Sequence, residues 1–202
     1  MRHFVYYSAK ARTTGNFGDD LMKAGRMDIA CQIVIMAFFI SNKLRDNVKL
    51  HLVFNGPPDP TKHLELFPGK KLYPDDEKEE RDISKKDVAG LIKKLLYKYK
   101  QGEKREVMPG YYIEKKNFID VVNELGKDST VFLLDKKGED IRTAEIPENP
   151  VFILGDHEGI PKDEMKRLKK VNIKKVSVGD VMYFASQAMT IVQNELDRRG
   201  IE

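Results

Sequence analysis

A short apolar stretch that runs into a glycine loop constrains the fold of this 202-residue chain most strongly. Val151–Leu154 is rich in β-branched and aromatic side chains, which is typical of a buried strand, and Gly155 ends it. The loop 156–160 is polar, and Pro161 suits the first turn of a helix. A strand, a glycine loop and a helix in this order place ligand groups beyond the carboxyl end of a parallel sheet. An ordinary strand-to-helix turn has the same pattern, so this stretch alone leaves both interpretations open.

Composition limits the kinds of protein that this chain can be. Of its 202 residues, 41% are hydrophobic and 34% are charged, which is enough apolar material for one domain with its own core. The net charge is only +4, so a nucleic-acid surface would require local clustering of basic residues rather than a polybasic tail.

The compartment can be argued from cysteine usage and from the apolar runs. The single cysteine, Cys31, excludes an internal disulfide and favours a reducing environment. The longest apolar run, Ile33–Ile40, is shorter than the roughly 20 residues that span a bilayer. Strand-like residues 4–7 stand where a signal peptide would begin. We therefore expect a soluble, cytoplasmic protein.

Hydrophobic periodicity predicts strands that alternate with helices, the pattern of an α/β fold with a mostly parallel sheet flanked by helices. Strands are expected at 2–8, 48–54, 63–67 (a short edge strand), 111–113, 130–134, 151–154 and 172–178. Helices are expected at 28–42 with Asp28 as its N-cap, from a capping box at Ser84 to Gly102, and at 117–125, 161–170 and 181–199. The last helix is expected to bury Val181 and Phe184 along its apolar face.

Several enzyme motifs are missing from the sequence. It contains no G-x-G-x-x-G, no G-x-x-x-x-G-K-[ST] and no G-x-S-x-G, which argues against dehydrogenase, kinase and hydrolase chemistry. One cysteine and four scattered histidines give no metal-ligand spacing. What remains is three short loops at strand ends, after Leu134, Leu154 and Val178. Their exposed backbone groups could hold a purine ring and a ribose.

The residues around these loops resemble a known family. The pattern V-F-I-L-G-D-H-x-G at 151–159 follows a strand that ends in Leu-Leu and precedes Ser-Val-Gly-Asp at 177–180 and a long last helix. This arrangement resembles the SPOUT class of RNA methyltransferases, and within it the archaeal tRNA pseudouridine N1-methyltransferases. Further segments carry the same likeness: 1–4, 25–28, 37–41, 45–46, 56–60, 75–77 and 109–112.

The resemblance implies a fold and an activity. It implies a single SPOUT domain over residues 1–202, with a trefoil knot and a cofactor site at roughly 130–202. Knots are rare exceptions to the usual rules of chain connection, so no spacing argument predicts one. Members of this family bind S-adenosylmethionine, need no metal and act as homodimers. Their substrate is a pseudouridine of the tRNA T-loop, at position 54, which becomes 1-methylpseudouridine.

The resemblance also implies a set of cofactor-binding residues. They come from the three strand-end loops and the start of the last helix: Leu134, Gly155, Val178, Gly179, Val181, Tyr183 and Ala188. Core packing is the alternative role for Leu134 and Ala188. In the first turns of the last helix the family tends to carry His, Asn and Cys, whereas this chain has Phe184, Ser186 and Ala188. We therefore expect a more apolar cofactor pocket than is usual in the family.

Arg26 and Asp28 are the catalytic residues that the resemblance implies. Arg26 would stabilise charge on the uracil ring, and Asp28 would orient N1 or accept its proton. The helix N-cap role is the alternative for Asp28. Asp156 is a second candidate base, with turn formation as its alternative role, and His157 is expected to serve as a hydrogen-bonding loop residue.

Four basic residues are candidate contacts to RNA phosphates: Lys10, Arg12, Lys43 and Arg45. A solvated surface is the alternative for each.

Two further functions stay open from the sequence alone. One is a SPOUT methyltransferase that acts on ribosomal-RNA pseudouridine or another RNA nucleoside, and the other is an RNA-binding protein that keeps the fold with little catalysis.

Overall fold

An eight-stranded sheet forms the centre of the molecule, and the computed structural model describes residues 1–41, 43–69 and 84–201. The strands are β1 (Arg2–Ser8), β2 (Phe39–Ile40), β3 (Lys43–Leu44), β4 (Val48–Phe54), β5 (Lys62–Leu66), β6 (Arg105–Met108), β7 (Tyr111–Glu114), β8 (Val131–Asp140), β9 (Val151–Gly155) and β10 (Ile173–Ser177). The helices are α1 (Met27–Phe38), α2 (Lys85–Tyr97), α3 (Phe118–Leu125), α4 (Lys162–Leu168) and α5 (Ala185–Arg199). Segments 75–77, which belong to the family likeness, lie outside the described residues.

The strand order in the large sheet is β10-β8-β9-β1-β4-β5-β7-β6, and β2 pairs only with β3. The five strands from β10 to β4 are parallel, whereas β5, β7 and β6 run antiparallel to their neighbours. The expected α/β class with a mostly parallel sheet is confirmed. The edge position expected for residues 63–67 is wrong, because β5 lies between β4 and β7, and the true edge strand β6 was not predicted.

Alternate side chains of β1 enter two separate cores, one on each face of the sheet. Phe4 and Tyr6 pack with α1, α2 and α5, whereas Val5 and Tyr7 pack with α3 and α4. All four side chains are at most 2% exposed, so β1 is a central strand that is covered on both faces, as parallel sheets require. The ends of β1 are therefore the positions where its neighbours can meet solvent or ligand.

Two helix starts differ from the sequence prediction. The N-cap of α1 is Arg26, in the left-handed conformation (φ 63°, ψ 41°), and Asp28 lies in the first helical turn. Asp28 is not the cap because the helix has already begun at Met27, and its carboxylate is bound by the Arg26 guanidinium instead. α5 begins at Ala185 rather than at Val181, because the chain at Phe184 is extended and its N–H donates to Gln187 Oε1 at 3.1 Å.

The helix that follows Ser84 begins as predicted. Ser84 and Asp87 exchange hydrogen bonds between side chain and backbone in a capping box. The helix then ends at Tyr97, five residues earlier than the Gly102 that was expected to end it. Lys98 leaves helical geometry, and its N–H bonds to the carbonyl groups of the last turn.

A row of hydrogen-bonded histidines crosses the sheet beside α3, at the amino end of β1. His3 Nδ1 lies 3.1 Å from His51 Nε2, and His51 Nδ1 lies 3.0 Å from His63 Nε2. His63 Nδ1 lies 3.0 Å from Glu114 Oε1. Because a carboxylate can only accept, every imidazole in the row carries its proton on Nδ1. We call these four residues the histidine row.

Candidate functional site

A bulge within β8 and the carboxyl ends of β9 and β10 border one cleft of about 190 Å³. The strand that was expected to end at Leu134 continues to Asp140. All seven residues that were predicted to bind a cofactor line the cleft: Leu134, Gly155, Val178, Gly179, Val181, Tyr183 and Ala188. The sequence analysis missed other lining residues, among them Asp135, Ser177 and Met182. Asp135 and Ser177 directly adjoin predicted positions, so including the flanking residues of each strand end would have identified them.

A bulge in β8 supplies the first wall of the cleft. Against β10, the β8 ladder skips from Leu133 to Glu139, and residues 134–138 leave the sheet between these two positions. Gly138 lies so close to β10 that a Cβ atom there would approach the Val176 nitrogen to 2.5 Å. A side chain at this position would push the strands apart, so glycine is required where the bulge rejoins the ladder. The first three residues of the bulge line the cleft.

The loop after β9 supplies the second wall and is organised by Asp156. The Asp156 carboxylate is buried and accepts hydrogen bonds from Ser8 Oγ (3.1 Å), the Ala9 N–H (3.2 Å) and the Glu158 N–H (2.9 Å). These bonds tie the loop to the end of β1. Gly155 lies against Gly159, whose backbone a Cβ atom would approach to 2.8 Å. This arrangement favours the turn-forming role of Asp156 over that of a base.

The loop between β10 and α5 supplies the third wall. The Ser177 hydroxyl bonds to both the N–H and the carbonyl of Gly179, whose φ of 119° is accessible mainly to glycine. The sequence analysis expected Val181 and Phe184 to be buried, and this is wrong: they are 62% and 73% exposed. The reason is that α5 starts later, so both residues belong to the loop. Met182 is 81% exposed, which makes this loop apolar and open to solvent.

The groups that line the cleft suit a nucleoside that carries an aliphatic chain. Apolar side chains of Leu134, Leu154, Val178 and Ala188 alternate with backbone polar groups of the three loops. Of the three helix positions that depart from the family pattern, only Ala188 lines the cleft, and Phe184 and Ser186 do not. Two carboxylates also line the cleft: Asp156, which is held by the end of β1, and Asp135, whose pKa is lowered by a hydrogen bond from Lys175 at 2.5 Å. Apolar walls with a few polar groups suit a purine nucleoside.

Arg26 and Asp28 form a two-bond ion pair at the start of α1. Arg26 Nε and Nη2 each lie 3.0 Å from one oxygen of Asp28. The hydrogen bonds from Arg26 lower the pKa of Asp28, and the same bonds raise the pKa of Arg26. Asp28 is therefore ionised near neutral pH and is ready to accept a hydrogen bond, but it is a weak proton acceptor while the pair is intact.

The same region contains a residue that the sequence analysis missed. Tyr6 is fully buried on β1, and its hydroxyl has no hydrogen-bond partner of normal geometry among the described residues. Burial raises the pKa of Tyr6, and the charges of Asp156 and Asp28 raise it further. We call Tyr6, Ser8, Arg26, Asp28 and Asp156 the strand-end cluster, because Tyr6 and Ser8 belong to the last three residues of β1, Ser8 binds Asp156, and the charges of Asp156, Asp28 and Arg26 affect the pKa of Tyr6. No sequence signal indicated Tyr6, which looks like a core aromatic residue.

The predicted RNA contacts fall into two groups rather than one patch. Lys10 and Arg12 follow β1 at its carboxyl end, where their loop is held between two glycines. A Cβ atom at Gly25 or Gly56 would approach the Lys10 carbonyl oxygen to 1.7 or 2.3 Å. Lys10 forms an exposed ion pair with Glu158 beside the cleft.

The second group lies near the amino end of β1. Lys43 is exposed, whereas the Arg45 side chain is only 13% exposed and makes two hydrogen bonds with Asp197, at 2.8 and 2.7 Å. Arg2 also binds Asp197, at 2.6 Å. This network ties α5 to the amino end of β1, so Arg45 has an evident structural role besides the predicted RNA contact.

The described part of the chain has neither a membrane-spanning helix nor a cluster of metal-binding side chains. No helix there is both long enough and apolar enough to cross a membrane. Within the same residues, no group of three or more His, Cys, Asp or Glu side chains is arranged to hold a metal ion.

Comparisons with known proteins agree with this geometry. The family model described as "Putative SAM-dependent RNA methyltransferase" matches residues 1–201. The chain is 35% identical to the tRNA (pseudouridine(54)-N(1))-methyltransferase of Pyrococcus abyssi over 209 residues, which cover 100% of both chains. It is 37% identical to the protein of the same name from Methanocella arvoryzae, over 98% of this chain and 100% of the relative.

A solved structure supports the fold. Nep1 of Archaeoglobus fulgidus, bound to S-adenosylhomocysteine, superposes with a TM-score of 0.61 over 99% of each chain. The sequence identity of this pair is 14%, so the likeness concerns the fold alone.

Proposed function

The chain belongs to the family of S-adenosylmethionine-dependent RNA methyltransferases that includes the archaeal tRNA (pseudouridine(54)-N(1))-methyltransferases, and we propose that it methylates N1 of pseudouridine 54 in tRNA. The observation that carries the proposal is the placement of the candidate residues. Seven predicted cofactor contacts line one cleft, and the Asp156 loop that forms its second wall also belongs to the strand-end cluster with Arg26 and Asp28.

The cleft would hold S-adenosylmethionine through backbone groups and apolar side chains. Leu134, Gly155 and Val178 would contribute from the three walls, and Ala188 would border the adenine. Gly179, Val181 and Tyr183 would close over the cofactor from the third wall. When bound, S-adenosylmethionine supplies an electrophilic methyl group on a positively charged sulfur.

The protein's task in the reaction is to manage the proton and the charge on the target base. N1 of pseudouridine carries a weakly acidic proton, which must leave as the bond from N1 to the methyl carbon forms and the bond from that carbon to sulfur breaks. Asp28 would accept the N1–H hydrogen bond, orient N1 towards the methyl group and, once Arg26 has turned to the base, take the proton as the N1–methyl bond forms. Arg26 would stabilise negative charge that develops on the uracil carbonyl oxygens. Asp156 would hold the loop after β9 against the end of β1 rather than move a proton.

Lys10 and Arg12 are the basic residues best placed to bind RNA phosphates near the target base. Arg12→Ala should weaken tRNA binding and reduce by about one the slope of log affinity against log salt concentration. Lys127→Ala, an exposed lysine just after α3, is the control and should leave the slope unchanged. An unchanged slope in Arg12→Ala would remove Arg12 from the interface. Lys43 and Arg45 stay as weaker candidates for the same role.

Further properties belong to this proposal. We propose that the protein is a single domain over residues 1–202 with a trefoil knot in roughly 130–202, that it works in the cytoplasm and that it forms a homodimer. The apolar loop 181–184 supports the last point, because Met182 and Phe184 are 81% and 73% exposed and would be costly to leave uncovered.

The deciding experiment is nucleoside mass spectrometry of tRNA that has been incubated with the protein and S-adenosylmethionine. The proposal predicts one 1-methylpseudouridine per tRNA, in the T-loop, and none in tRNA that carries uridine at position 54. Methylation of ribosomal RNA alone would redirect the proposal to another RNA substrate. Calorimetry that detects no binding of S-adenosylmethionine would reject the enzyme and leave only RNA binding.

A further inference from the structure

We propose that Tyr6 is a positioning residue for methyl transfer. Its hydroxyl replaces Arg26 as the hydrogen-bond donor to Asp28 when Arg26 turns towards the target base. The inference rests on the proposed function of the strand-end cluster. It starts from the one member of that cluster whose hydrogen bonds are incomplete.

The Tyr6 hydroxyl is a buried polar group without a partner. Tyr6 is 0% exposed, and its hydroxyl oxygen makes no hydrogen bond of normal geometry with any described residue. Native proteins leave few such groups, because a polar group that is removed from water without a partner costs free energy. Phenylalanine would fill the same core position without this cost, so the hydroxyl requires a reason.

The surroundings of the hydroxyl connect it with the predicted catalytic residues. Tyr6 lies two positions before Ser8 and thus faces the same side of the sheet, where Ser8 binds Asp156 at 3.1 Å. The loop that follows β1 runs against the turn that leads to Arg26, because Gly25 packs on the Lys10 carbonyl. After burial, Asp156 has the largest influence on the pKa of Tyr6, followed by Ser8, whose hydroxyl is near but makes no bond of normal geometry with it, and then by Asp28 and Arg26.

The protonation state of Tyr6 decides which role it can have. Burial and the two carboxylates raise its pKa, so the phenol keeps its proton near neutral pH. Tyr6 is therefore a hydrogen-bond donor and not a base. A buried donor with no acceptor among the described residues, near enough to Asp28 for that charge to affect its pKa, can take part in an exchange of partners.

Arg26 is the partner that would leave. Its two hydrogen bonds hold Asp28 in the free protein, and both side chains are partly exposed, at 32% and 22%. Arg26 also has the left-handed backbone conformation (φ 63°), which side-chain-bearing residues rarely adopt outside functional sites. When its guanidinium turns to the uracil oxygens, Asp28 loses two donors. The Tyr6 O–H would then donate to Asp28, and Asp28 would keep its orientation towards the N1 proton.

The first test compares two neighbouring tyrosines. Tyr6→Phe should lower kcat about 10-fold with the KM for tRNA and the affinity for S-adenosylmethionine unchanged. The Tm should not fall and should rise slightly, because phenylalanine removes the unpartnered buried hydroxyl. Tyr7→Phe is the matched control, because the Tyr7 hydroxyl lies on the opposite face and accepts a hydrogen bond from Asn55 Nδ2 at 3.2 Å. It should lower the Tm and leave kcat unchanged. Equal kcat values for Tyr6→Phe and the wild type would overturn the proposal.

The second test asks whether Tyr6 acts through Asp28. In the Asp28→Asn background, Tyr6→Phe should cause little further loss of kcat, because the carboxylate that the hydroxyl positions has been removed. A further 10-fold loss would mean that the two residues act independently, and it would contradict the proposal.

The third test needs no activity, so it separates Tyr6 from the proposed function. Arg26→Gly removes the partner of Asp28, and glycine accepts the left-handed conformation of residue 26. In that background the Tyr6 hydroxyl should bind Asp28 in the free protein, and adding Tyr6→Phe should lower the Tm by about 3–6 °C. No fall in Tm would overturn the exchange, even if the wild type makes 1-methylpseudouridine. A fall would support it, even if the wild type methylates another RNA.

Discussion

Two groups of polar side chains lie at opposite ends of β1, and they differ in how completely their hydrogen bonds are made. At the amino end, each imidazole of the histidine row bonds to the next, and the row ends on Glu114. At the carboxyl end, the strand-end cluster holds a strained Arg26 and an unpartnered Tyr6 hydroxyl. A complete network rigidifies a fold, whereas an incomplete one leaves groups available for a ligand. We therefore assign stability to the first group and function to the second.

The largest expected effect is on activity, at the strand-end cluster. Asp28→Asn should lower the methylation rate by about 100- to 1000-fold, equivalent to about 3–4 kcal/mol of barrier, because the amide no longer accepts the N1 proton. Its free energy of unfolding should change by no more than about 1 kcal/mol, since the site is partly exposed. Single-turnover kinetics and thermal unfolding measure the two quantities. A stable variant with wild-type turnover would break the assignment of this cluster to function.

The next largest effect is the acid sensitivity that the histidine row should give to the fold. Burial, with a contribution from Lys49, lowers the pKa of His3 from 6.5 to about 4, and burial lowers that of His51 further. A depressed histidine pKa means that the unfolded chain binds more protons, so stability is complete above pH 6.5 and falls as the pH drops. For His3 alone the loss between pH 6.5 and 4 should be roughly 3 kcal/mol.

Urea unfolding over this pH range measures that loss, and His3→Gln is the variant to compare. In the variant, the unfolding free energy should depend less steeply on pH, because the contribution of His3 is absent. An identical slope in the variant and the wild type would mean that the acid sensitivity comes from other groups.

A smaller effect should follow from removing the anchor of the row. Glu114→Ala leaves the His63 Nδ1–H without its acceptor in a buried position, at a cost of about 2 kcal/mol in unfolding free energy. Glu124→Ala is the matched control, because Glu124 is 55% exposed and pairs with the same Lys116 as Glu114 does. It should cost less than about 0.5 kcal/mol. Neither variant should change the methylation rate. A slower Glu114→Ala enzyme would contradict the assignment of the histidine row to stability alone.

The smallest effect concerns the cleft beside the strand-end cluster. Gly155→Ala places a Cβ atom about 2.8–2.9 Å from the Gly159 backbone, so the loop after β9 must shift by a few tenths of an ångström. We expect about 10-fold weaker binding of S-adenosylmethionine, or about 1.4 kcal/mol, by calorimetry. Gly159→Ala is not a suitable control because Gly159 has a φ of 78°, whereas Gly18→Ala meets open space and should bind normally. Unchanged affinity in Gly155→Ala would show that this loop tolerates the shift.

The sequence predicts the fold correctly where a local hydrophobic pattern is compatible with only one kind of secondary structure. The segments predicted as 2–8 and 48–54 are β1 and β4 with the same bounds, because apolar central strands leave little ambiguity. β6 was missed because its first half is charged and exposed at the edge of the sheet. The start of α5 was misplaced because apolar residues 181–184 continue the helical pattern into the loop, and periodicity does not distinguish core from exposed surface.

The candidate site shows the same division. The three loops of the cleft could be named in advance because the carboxyl ends of neighbouring parallel strands meet at one edge, and the family resemblance supplied the individual candidate residues. Tyr6 could not be named, because its role depends on where its hydroxyl ends relative to Asp28 and Asp156, which lie 22 and 150 positions away in the chain. The separation of Lys10 from Arg45 was equally invisible, since Lys10 follows the carboxyl end of β1, whereas Asp197 links Arg45 to Arg2 at the amino end.

The exposed apolar loop 181–184 has a thermodynamic consequence. Val181, Met182 and Tyr183 line the cleft, and the same segment presents Met182 and Phe184 to solvent. One short piece of chain therefore contributes to two surfaces. A partner that docks on the solvent side of this loop would order it. The loop then loses less conformational entropy when its other side closes on a ligand in the cleft. Docking of the partner and binding of the ligand must then strengthen each other by equal factors. The occupancy of the cleft therefore rises with the concentration of the docking partner.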